Sequence, residues 1–199
     1  ENGKVQLRIA ETQKYAHVTY FFNAQREDPY PNEYRVLIPS KKVVHQEEDP
    51  QMRVREISDR LLSAIQEGAY DFILVNFANA DMVAHTGNAQ ACETAVRSID
   101  EQVGRIVDAS LLHNAILLIT ADHGNVEMMM DNINHQPHTQ HTTNLVPMLY
   151  IGRDATLAET GALSDLAPTL LKMMGLPQPA EMTGKPLVDF KQAPAVANA

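Results

Sequence analysis

Aspartate and histidine residues recur in three segments of the chain, in combinations that suit metal binding. The first segment contains Asp81 and His85, which lie four residues apart and would share one face of a helical turn. The second contains the adjacent pair Asp122 and His123, and the third is a histidine-rich stretch that ends at His141. Carboxylate and neutral imidazole are ordinary ligands of Zn²⁺ and Mn²⁺. The three segments together therefore predict a metal site, with enough ligands for two neighbouring ions.

Other residues near these segments have weaker claims on function. By position alone, Lys14 reads as a solvated surface charge beside a strand. His17 reads as a structural residue, packed beneath the site or hydrogen-bonded to the backbone, and His45 and His113 read as surface residues. An isolated Asp-His pair is also more often a hydrogen-bonded turn than a ligand set. The prediction of a metal site therefore depends on all three segments meeting at one place.

Alternating strands and helices would bring the segments together. Apolar residues at helical spacing predict a helix from residue 52 to a C-cap at Gly68, and a second helix over residues 89–112. Nearly continuous apolar runs over residues 70–77 and 114–120 predict strands buried on both faces. Binding sites in such sheets form beyond the carboxyl ends of parallel strands. The first two metal-binding segments lie at those ends.

The remaining patterns complete an α/β fold. β-Branched and aromatic residues predict a strand over residues 17–22, and residues 35–39 predict a short edge strand that stops at its proline. A further strand is expected over residues 145–151 and a last helix over residues 163–174. The fold class is therefore α/β, a three-layer sandwich around a mostly parallel sheet.

Composition excludes several classes of protein. The 199 residues carry 16 Lys and Arg against 25 Asp and Glu, a formal charge of −9, which argues against a nucleic-acid partner. No apolar run approaches the roughly 18 residues of a membrane span, so no membrane partner is expected. The single cysteine, Cys92, excludes an internal disulfide and suits a reducing compartment. We expect a cytoplasmic protein.

Several motifs resemble the cofactor-independent (2,3-bisphosphoglycerate-independent) phosphoglycerate mutase family. They occur in the family's order, in its C-terminal part, at residues 10–19, 76–87, 120–125, 141–144 and 181–187. The Asp-His-Gly element alone would indicate only the wider alkaline-phosphatase-like superfamily. The segment around Lys14 is what points to the mutase.

The resemblance implies an alkaline-phosphatase-like fold and the interconversion of 3-phosphoglycerate and 2-phosphoglycerate through a phosphoserine intermediate. This is a reaction of glycolysis and gluconeogenesis. It also implies two Mn²⁺ ions and no bisphosphoglycerate cofactor. Asp81, His85 and His141 would hold the first ion, and Asp122 and His123 would help to hold the second.

The resemblance also implies a catalytic role for Lys14, as a fixed positive charge over the transferring phosphoryl group. Beside it stands Gln13, where bacterial members often have Glu, which bears on how the lysine is oriented.

The family's nucleophilic serine, an aspartate near it and an inserted substrate domain all precede the matched region. We therefore expect residues 1–191 to be the C-terminal part of a phosphatase-like, metal-binding domain that is incomplete at its N-terminal side. Residues 192–199, rich in Ala and Pro, are expected to form a disordered tail. The full-length protein is expected to be a monomer, and the isolated chain to be inactive and to self-associate through an exposed sheet edge.

Two rival functions stay open at this point. The first is a metal-dependent phosphatase or phosphopentomutase on the same fold. The second is a non-catalytic metal-binding or interaction module. The mutase resemblance implies phosphoglycerate as the small-molecule partner.

Overall fold

A three-stranded parallel sheet lies at the centre of the protein, for which a computed structural model describes residues 2–191. The strands are β1 (Gln6–Glu11), β2 (Glu33–Ile38) and β3 (Phe72–Asn76), in the order β2–β1–β3. β1 pairs in parallel register with both neighbours, so β2 lies at one edge of this sheet, as the sequence predicted, and β3 lies at the other. The predicted tail at 192–199 lies outside the described residues.

Helices cover both faces of this sheet, as the predicted three-layer arrangement requires. On one face, α2 (Val54–Glu67) and α4 (Ala89–Leu112) pack over Leu7 and Ile9, which are both fully buried. α1 (Thr12–Ala16) and a π-helical turn follow β1 and contact the sheet from the other side. Both predicted long helices are confirmed. Gly68 caps α2 with a φ of 61°, a left-handed conformation that favours glycine.

The strand predicted over residues 17–22 is wrong, because this segment continues the helix of α1 as the π-helical turn His17–Phe21. Val18 and Thr19 are buried in that turn, and the Thr19 hydroxyl donates to the Tyr15 carbonyl at 2.7 Å. β-Branched residues favour strands only weakly, and here burial against the sheet outweighs that preference.

β1 was not predicted as a strand, because charged residues interrupt its apolar pattern. Arg8 and Glu11 are nevertheless buried, at 3% and 0% exposure. The Arg8 guanidinium lies over the Phe22 ring at 4.1 Å and near the Phe72 ring at 5.4 Å, where it gains cation–π attraction. Glu11 accepts a hydrogen bond from the Ser40 hydroxyl at 2.8 Å. A central strand can therefore carry charge when its neighbours supply polar or aromatic partners.

Two further strands, β4 (Leu117–Thr120) and β7 (Met148–Ile151), pair with each other in antiparallel register. We expected them in one mostly parallel sheet. The chain between them contains no crossover helix, which a parallel pairing would need. It contains instead a small hairpin of β5 (Met130–Asp131) and β6 (Gln136–Pro137), whose tip leaves Ile133 88% exposed.

The other elements are short. They are α3 (Asn79–Ala84), β8 (Ala155–Leu157), α5 (Leu166–Met173), β9 (Val188–Phe190) and 3₁₀ turns at Gln46–Glu48 and Leu163–Asp165. β8 and β9 form an antiparallel pair. α5 covers most of the predicted last helix. Among the described residues, no helix is long and apolar enough to cross a membrane.

Candidate metal centre

The short helix α3 presents Asp81 and His85 just beyond the end of β3. Its first residue, Asn79, is fully buried and donates through Nδ2 to the carbonyl oxygens of Pro50 and Gln51, at 3.0 and 2.5 Å. The opposite side of α3 packs against α4 in an apolar cluster of Met52, Ala78, Val83, Ala84, Ala91, Cys92 and Ala95. Tight packing on one side and two hydrogen bonds at the start therefore fix α3 on the body of the fold.

Three ligand atoms form a small triangle at this place. Asp81 Oδ1 lies 3.1 Å from His85 Nε2 and 3.1 Å from His141 Nε2, and the two imidazole nitrogens lie 3.2 Å apart. Ligands of a tetrahedral ion with bonds near 2.1 Å would be separated by about 3.4 Å. The donor set and its dimensions therefore fit a single divalent ion.

His85 is oriented by the loop that precedes β7. Its Nδ1 lies 2.8 Å from the Thr139 carbonyl oxygen, so Nδ1 donates to that oxygen, and Nε2 beside Asp81 keeps its lone pair for a metal ion. The end of α3 approaches this loop closely at Gly87, where an added Cβ would lie 2.7 Å from Pro137 Cβ. The φ of Gly87 is 74°, so both the contact and the backbone favour glycine.

His123 and Asp122 follow β4, and the His123 ring lies against that of His141. The His123 and His141 rings are stacked, with centroids 3.5 Å apart and planes 17° apart. One ligand atom from each of Asp81, His123 and His141 lies within 4.8 Å of the others, which makes these residues a second possible ligand set. Asp122 Oδ1 lies 3.6 Å from His123 Nε2, and its side chain is 61% exposed. The structure thus gathers four of the five predicted ligand residues closely, with Asp122 at the solvent side.

Lys14 reaches the same site from α1, which directly follows β1. It is only 6% exposed, and its Nζ donates to Asp81 Oδ2 at 2.5 Å, so it is not the solvated charge that its position alone suggested. Burial raises the pKa of Asp81, but hydrogen bonds from Lys14 and Asn125 outweigh it and lower that pKa to about 2. Asp81 is therefore ionised at neutral pH, the form that binds a cation.

Two residues of the site, Asn125 and Glu127, were missed in the sequence. Asn125 is 5% exposed and donates through Nδ2 to Asp81 Oδ1 at 2.9 Å. The Glu127 carboxylate accepts from the Asn125 backbone N–H at 2.7 Å, from Asn144 Nδ2 at 2.9 Å and from the Thr142 hydroxyl. The Thr142 hydrogen bond is the largest cause that lowers the pKa of Glu127 to about 2. Their closeness in sequence to His123 was the available signal.

The other histidines lie away from the ligand cluster or at its margin. His45 and His113 are exposed, as predicted. His17 is also exposed rather than packed beneath the site, and its ring lies 5.6 Å from that of Phe21. The π-helical turn explains this difference, because it buries Val18 and Thr19 instead.

Comparison with known proteins agrees with a metal centre on this fold. Residues 1–178 match the Metalloenzyme superfamily, and the chain belongs to that superfamily. Its members' use of divalent metal fits the carboxylate and imidazole groups gathered around Asp81.

Curated relatives narrow the similarity to phosphoglycerate mutases. The chain is 54% identical to the 2,3-bisphosphoglycerate-independent phosphoglycerate mutase of Chromobacterium violaceum over 189 residues, which is 95% of this chain and 37% of that protein. It is 50% identical to the Shewanella denitrificans enzyme of the same name over 190 residues, 96% of this chain and 37% of that protein. The resemblance predicted from the motifs is confirmed.

A solved structure supports the fold. Leishmania mexicana phosphoglycerate mutase, crystallised at low cobalt concentration, superposes with a TM-score of 0.87 at 29% identity. The match covers 95% of this chain and 38% of that one, so the predicted fold class is confirmed. The chain spans somewhat more than a third of the length of the relatives it matches.

Proposed function

We propose that this chain supplies the metal-binding part of a 2,3-bisphosphoglycerate-independent phosphoglycerate mutase. The observation that carries the proposal is the meeting of Asp81, His85, His123, His141 and Lys14 in one place, from elements that follow β1, β3 and β4 or precede β7. A cation beside clustered ligands is the arrangement that phosphoryl transfer needs, because charge on the transferring group must be neutralised. The motif resemblance and the curated relatives support the same assignment.

Each residue has a role that follows from its contacts. Asp81, His85 and His141 would hold one Mn²⁺ ion, and His123 with Asp122 would help to hold a second. When bound, these ions would neutralise phosphoryl oxygens and activate the nucleophile. Lys14 is buried and hydrogen bonded to Asp81, so its ammonium group supplies a positive charge at a fixed place in the site.

Lys14 donates to Asp81, and this pairing keeps the lysine aimed into the site. With substrate present, the ammonium group would donate to an oxygen of the transferring phosphoryl group. Ordering the lysine before the reaction removes the entropy loss of aligning it later.

The substrates would be 3-phosphoglycerate and 2-phosphoglycerate, exchanged through a phosphoserine intermediate in a cytoplasmic, monomeric, glycolytic enzyme. We infer that the 199 residues alone do not catalyse this exchange. Ser40 hydrogen bonds to Glu11, and among residues 2–191 no serine hydrogen bonds to Lys14 or to the clustered ligands. The chain also spans only 37% of the Chromobacterium relative.

A chimera tests this proposal. This chain replaces the matching 37% of the Chromobacterium violaceum enzyme, to which it is 54% identical. We expect the chimera with Mn²⁺ to interconvert the two phosphoglycerates, and the 199-residue chain alone to show no turnover. An Asp81→Asn chimera is the matched control and should be inactive, because it removes the carboxylate that belongs to both possible ligand sets.

The same preparations distinguish the neighbouring activities of the superfamily. Phosphopentose and nitrophenyl phosphate serve as alternative substrates. Turnover of either of them, without phosphoglycerate turnover, would contradict the mutase assignment and favour a phosphopentomutase or phosphatase. Metal binding without any turnover of the chimera would favour a non-catalytic module.

A further inference from the structure

Glu127 connects the two loops that carry His123 and His141. One of its carboxylate oxygens, Oε2, accepts from the backbone N–H of Asn125, two residues after His123. The other, Oε1, accepts from the hydroxyl of Thr142, the residue after His141. The side chain therefore joins the loop after β4 to the loop before β7.

The backbone between these loops is drawn together at the same point. Thr142 N–H donates to the Gly124 carbonyl at 2.8 Å, and this is a bridge between the two segments outside the named strands. An added Cβ on Gly124 would collide with the Thr142 hydroxyl and with the Glu127 carboxylate. The two loops can therefore approach each other this closely because residue 124 is a glycine and has no side chain.

Glu127 is poorly suited to bind a metal ion itself. Its Oε1 accepts from both Thr142 and Asn144, and its Oε2 accepts from Asn125. The group of ligand atoms that lies within 4.8 Å consists of Asp81, His123 and His141 and does not include Glu127. Its hydrogen-bonding capacity is used to hold the backbone and the side chains next to the ligands.

We propose that Glu127 is the positioning residue that holds His123 against His141 and so sets the spacing of the metal ligands. The proposal rests on the metal site of the proposed function. The observation behind it is that two loops carry the stacked pair of rings, 3.5 Å apart, and that the Glu127 carboxylate hydrogen bonds to both of these loops. Groups that orient metal ligands typically change affinity 10- to 100-fold when they are removed.

The first test measures ring geometry without metal. Carbon–proton NMR spectra of the full chain, labelled in histidine and treated with a chelator, report the His123 and His141 ring protons. Stacked rings shield each other, so Glu127→Ala should move both signals downfield. Glu93→Ala is the matched control, because Glu93 is an exposed residue that pairs with Arg97 on α4. Unchanged ring signals in Glu127→Ala would overturn the proposal.

The second test measures affinity for Co²⁺ by its visible absorption, with His141→Ala as the reference for a lost ligand. We expect Glu127→Ala to bind about 10-fold more weakly than the parent, with an altered spectrum. Parent-like affinity and spectrum would overturn the proposal. Equal binding by the parent and His141→Ala would instead contradict the metal site of the proposed function, while the NMR result still decides the role of Glu127.

A milder pair of variants guards against misfolding. Thr142→Val removes the hydroxyl that donates to Glu127 but keeps the shape of the side chain, and Thr142→Ser retains that hydroxyl. We expect Thr142→Val to shift the same ring signals and to weaken Co²⁺ binding in the same direction as Glu127→Ala. Thr142→Ser should keep the ring signals and the Co²⁺ affinity of the parent. Failure of Thr142→Val to change either quantity would count against the proposal.

Discussion

The two sides of the metal centre are held in different ways. Asp81 and His85 stand on and just after α3, which is packed against α4 and anchored by a fully buried asparagine. His123 and His141 stand on loops between β4 and β7, and polar contacts around Glu127 hold them. We call these the helix side and the loop side. Packing against α4 and the Asn79 hydrogen bonds thus set the helix side, whereas hydrogen bonds join the two loops of the loop side, and Val126 and Met129 of the first loop pack on the same apolar cluster.

Because of this difference, we expect the helix side and the loop side to respond differently to metal binding and to mutation. A packed helix resists local opening, whereas loops near solvent open at lower free energy. The helix side should therefore be ordered in the absence of metal, and the loop side should gain most from its binding.

Metal binding should give the largest effect. Co²⁺ at 100 times its dissociation constant should raise the free energy of unfolding by about 2.7 kcal/mol, if the ion binds only the folded chain. Hydrogen exchange should slow more at residues 121–147 than in α3 and α4. His141→Ala, which removes a ligand, should abolish both changes. Equal slowing of hydrogen exchange on the helix side and the loop side would contradict the difference between them.

Loss of the helix-side anchor should be next in size. Asn79→Ala removes two hydrogen bonds to backbone carbonyls from a fully buried position, and should lower the free energy of unfolding by about 2 kcal/mol in urea denaturation. Asn132→Ala, at an exposed position near the β5–β6 hairpin, is the control and should change little. A loss of less than 0.5 kcal/mol, roughly the range of surface substitutions, would show that α3 does not depend on this anchor.

A pair of glycine substitutions should give smaller effects of opposite sign. Gly124→Ala places a methyl group against Thr142 and Glu127 on the loop side, and should destabilise the protein by about 1 kcal/mol. Gly104→Ala, on the exposed face of α4 with no atom within 4 Å of the new Cβ, should stabilise it by about 1 kcal/mol. Thermal unfolding of both variants checks the signs. Stabilisation by Gly124→Ala would mean that the loops are not closely joined.

Acid should produce the smallest effect, and it reports on the loop side. The folded pKa of Glu127 is lowered to about 2 from an ordinary value of 4.5, so its contribution to stability is full above pH 4.5 and is lost as the pH falls through about 2. The difference in stability between the parent and Glu127→Gln should shrink over that window, as followed by urea denaturation in a chelator. A difference that stays constant with pH would contradict the assigned hydrogen bonds.

Local patterns in the sequence were sufficient to predict the helices whose apolar residues recur at helical spacing. α4 begins and ends where the pattern predicted, and Gly68 ends α2 as expected. The pattern failed where tertiary contacts outweighed it. β1 hides Arg8 and Glu11 among aromatic and polar partners, and the β-branched residues Val18 and Thr19 face the sheet from a helical turn.

The site shows the same division. Residue type and position at strand ends were enough to select Asp81, His85, Asp122 and His123, and the family resemblance singled out His141 within its histidine-rich segment. The roles of Asn125 and Glu127 depend on two loops meeting, since their partners lie up to 44 positions away along the chain. Hydrogen bonds between distant segments produce no periodic pattern in the sequence, so residue spacing alone could not predict them.

The hairpin of β5 and β6 has a practical consequence. It projects from the long connection between β4 and β7, and the backbone bridge between Gly124 and Thr142 closes this connection at its base. Asp131 caps the turn of the hairpin by accepting from the backbone N–H of Ile133 at 2.8 Å. Because the base is closed independently of the tip, the exposed tip can change in length without moving either histidine. A dye or an affinity peptide inserted beside Ile133 should therefore leave the metal centre unchanged.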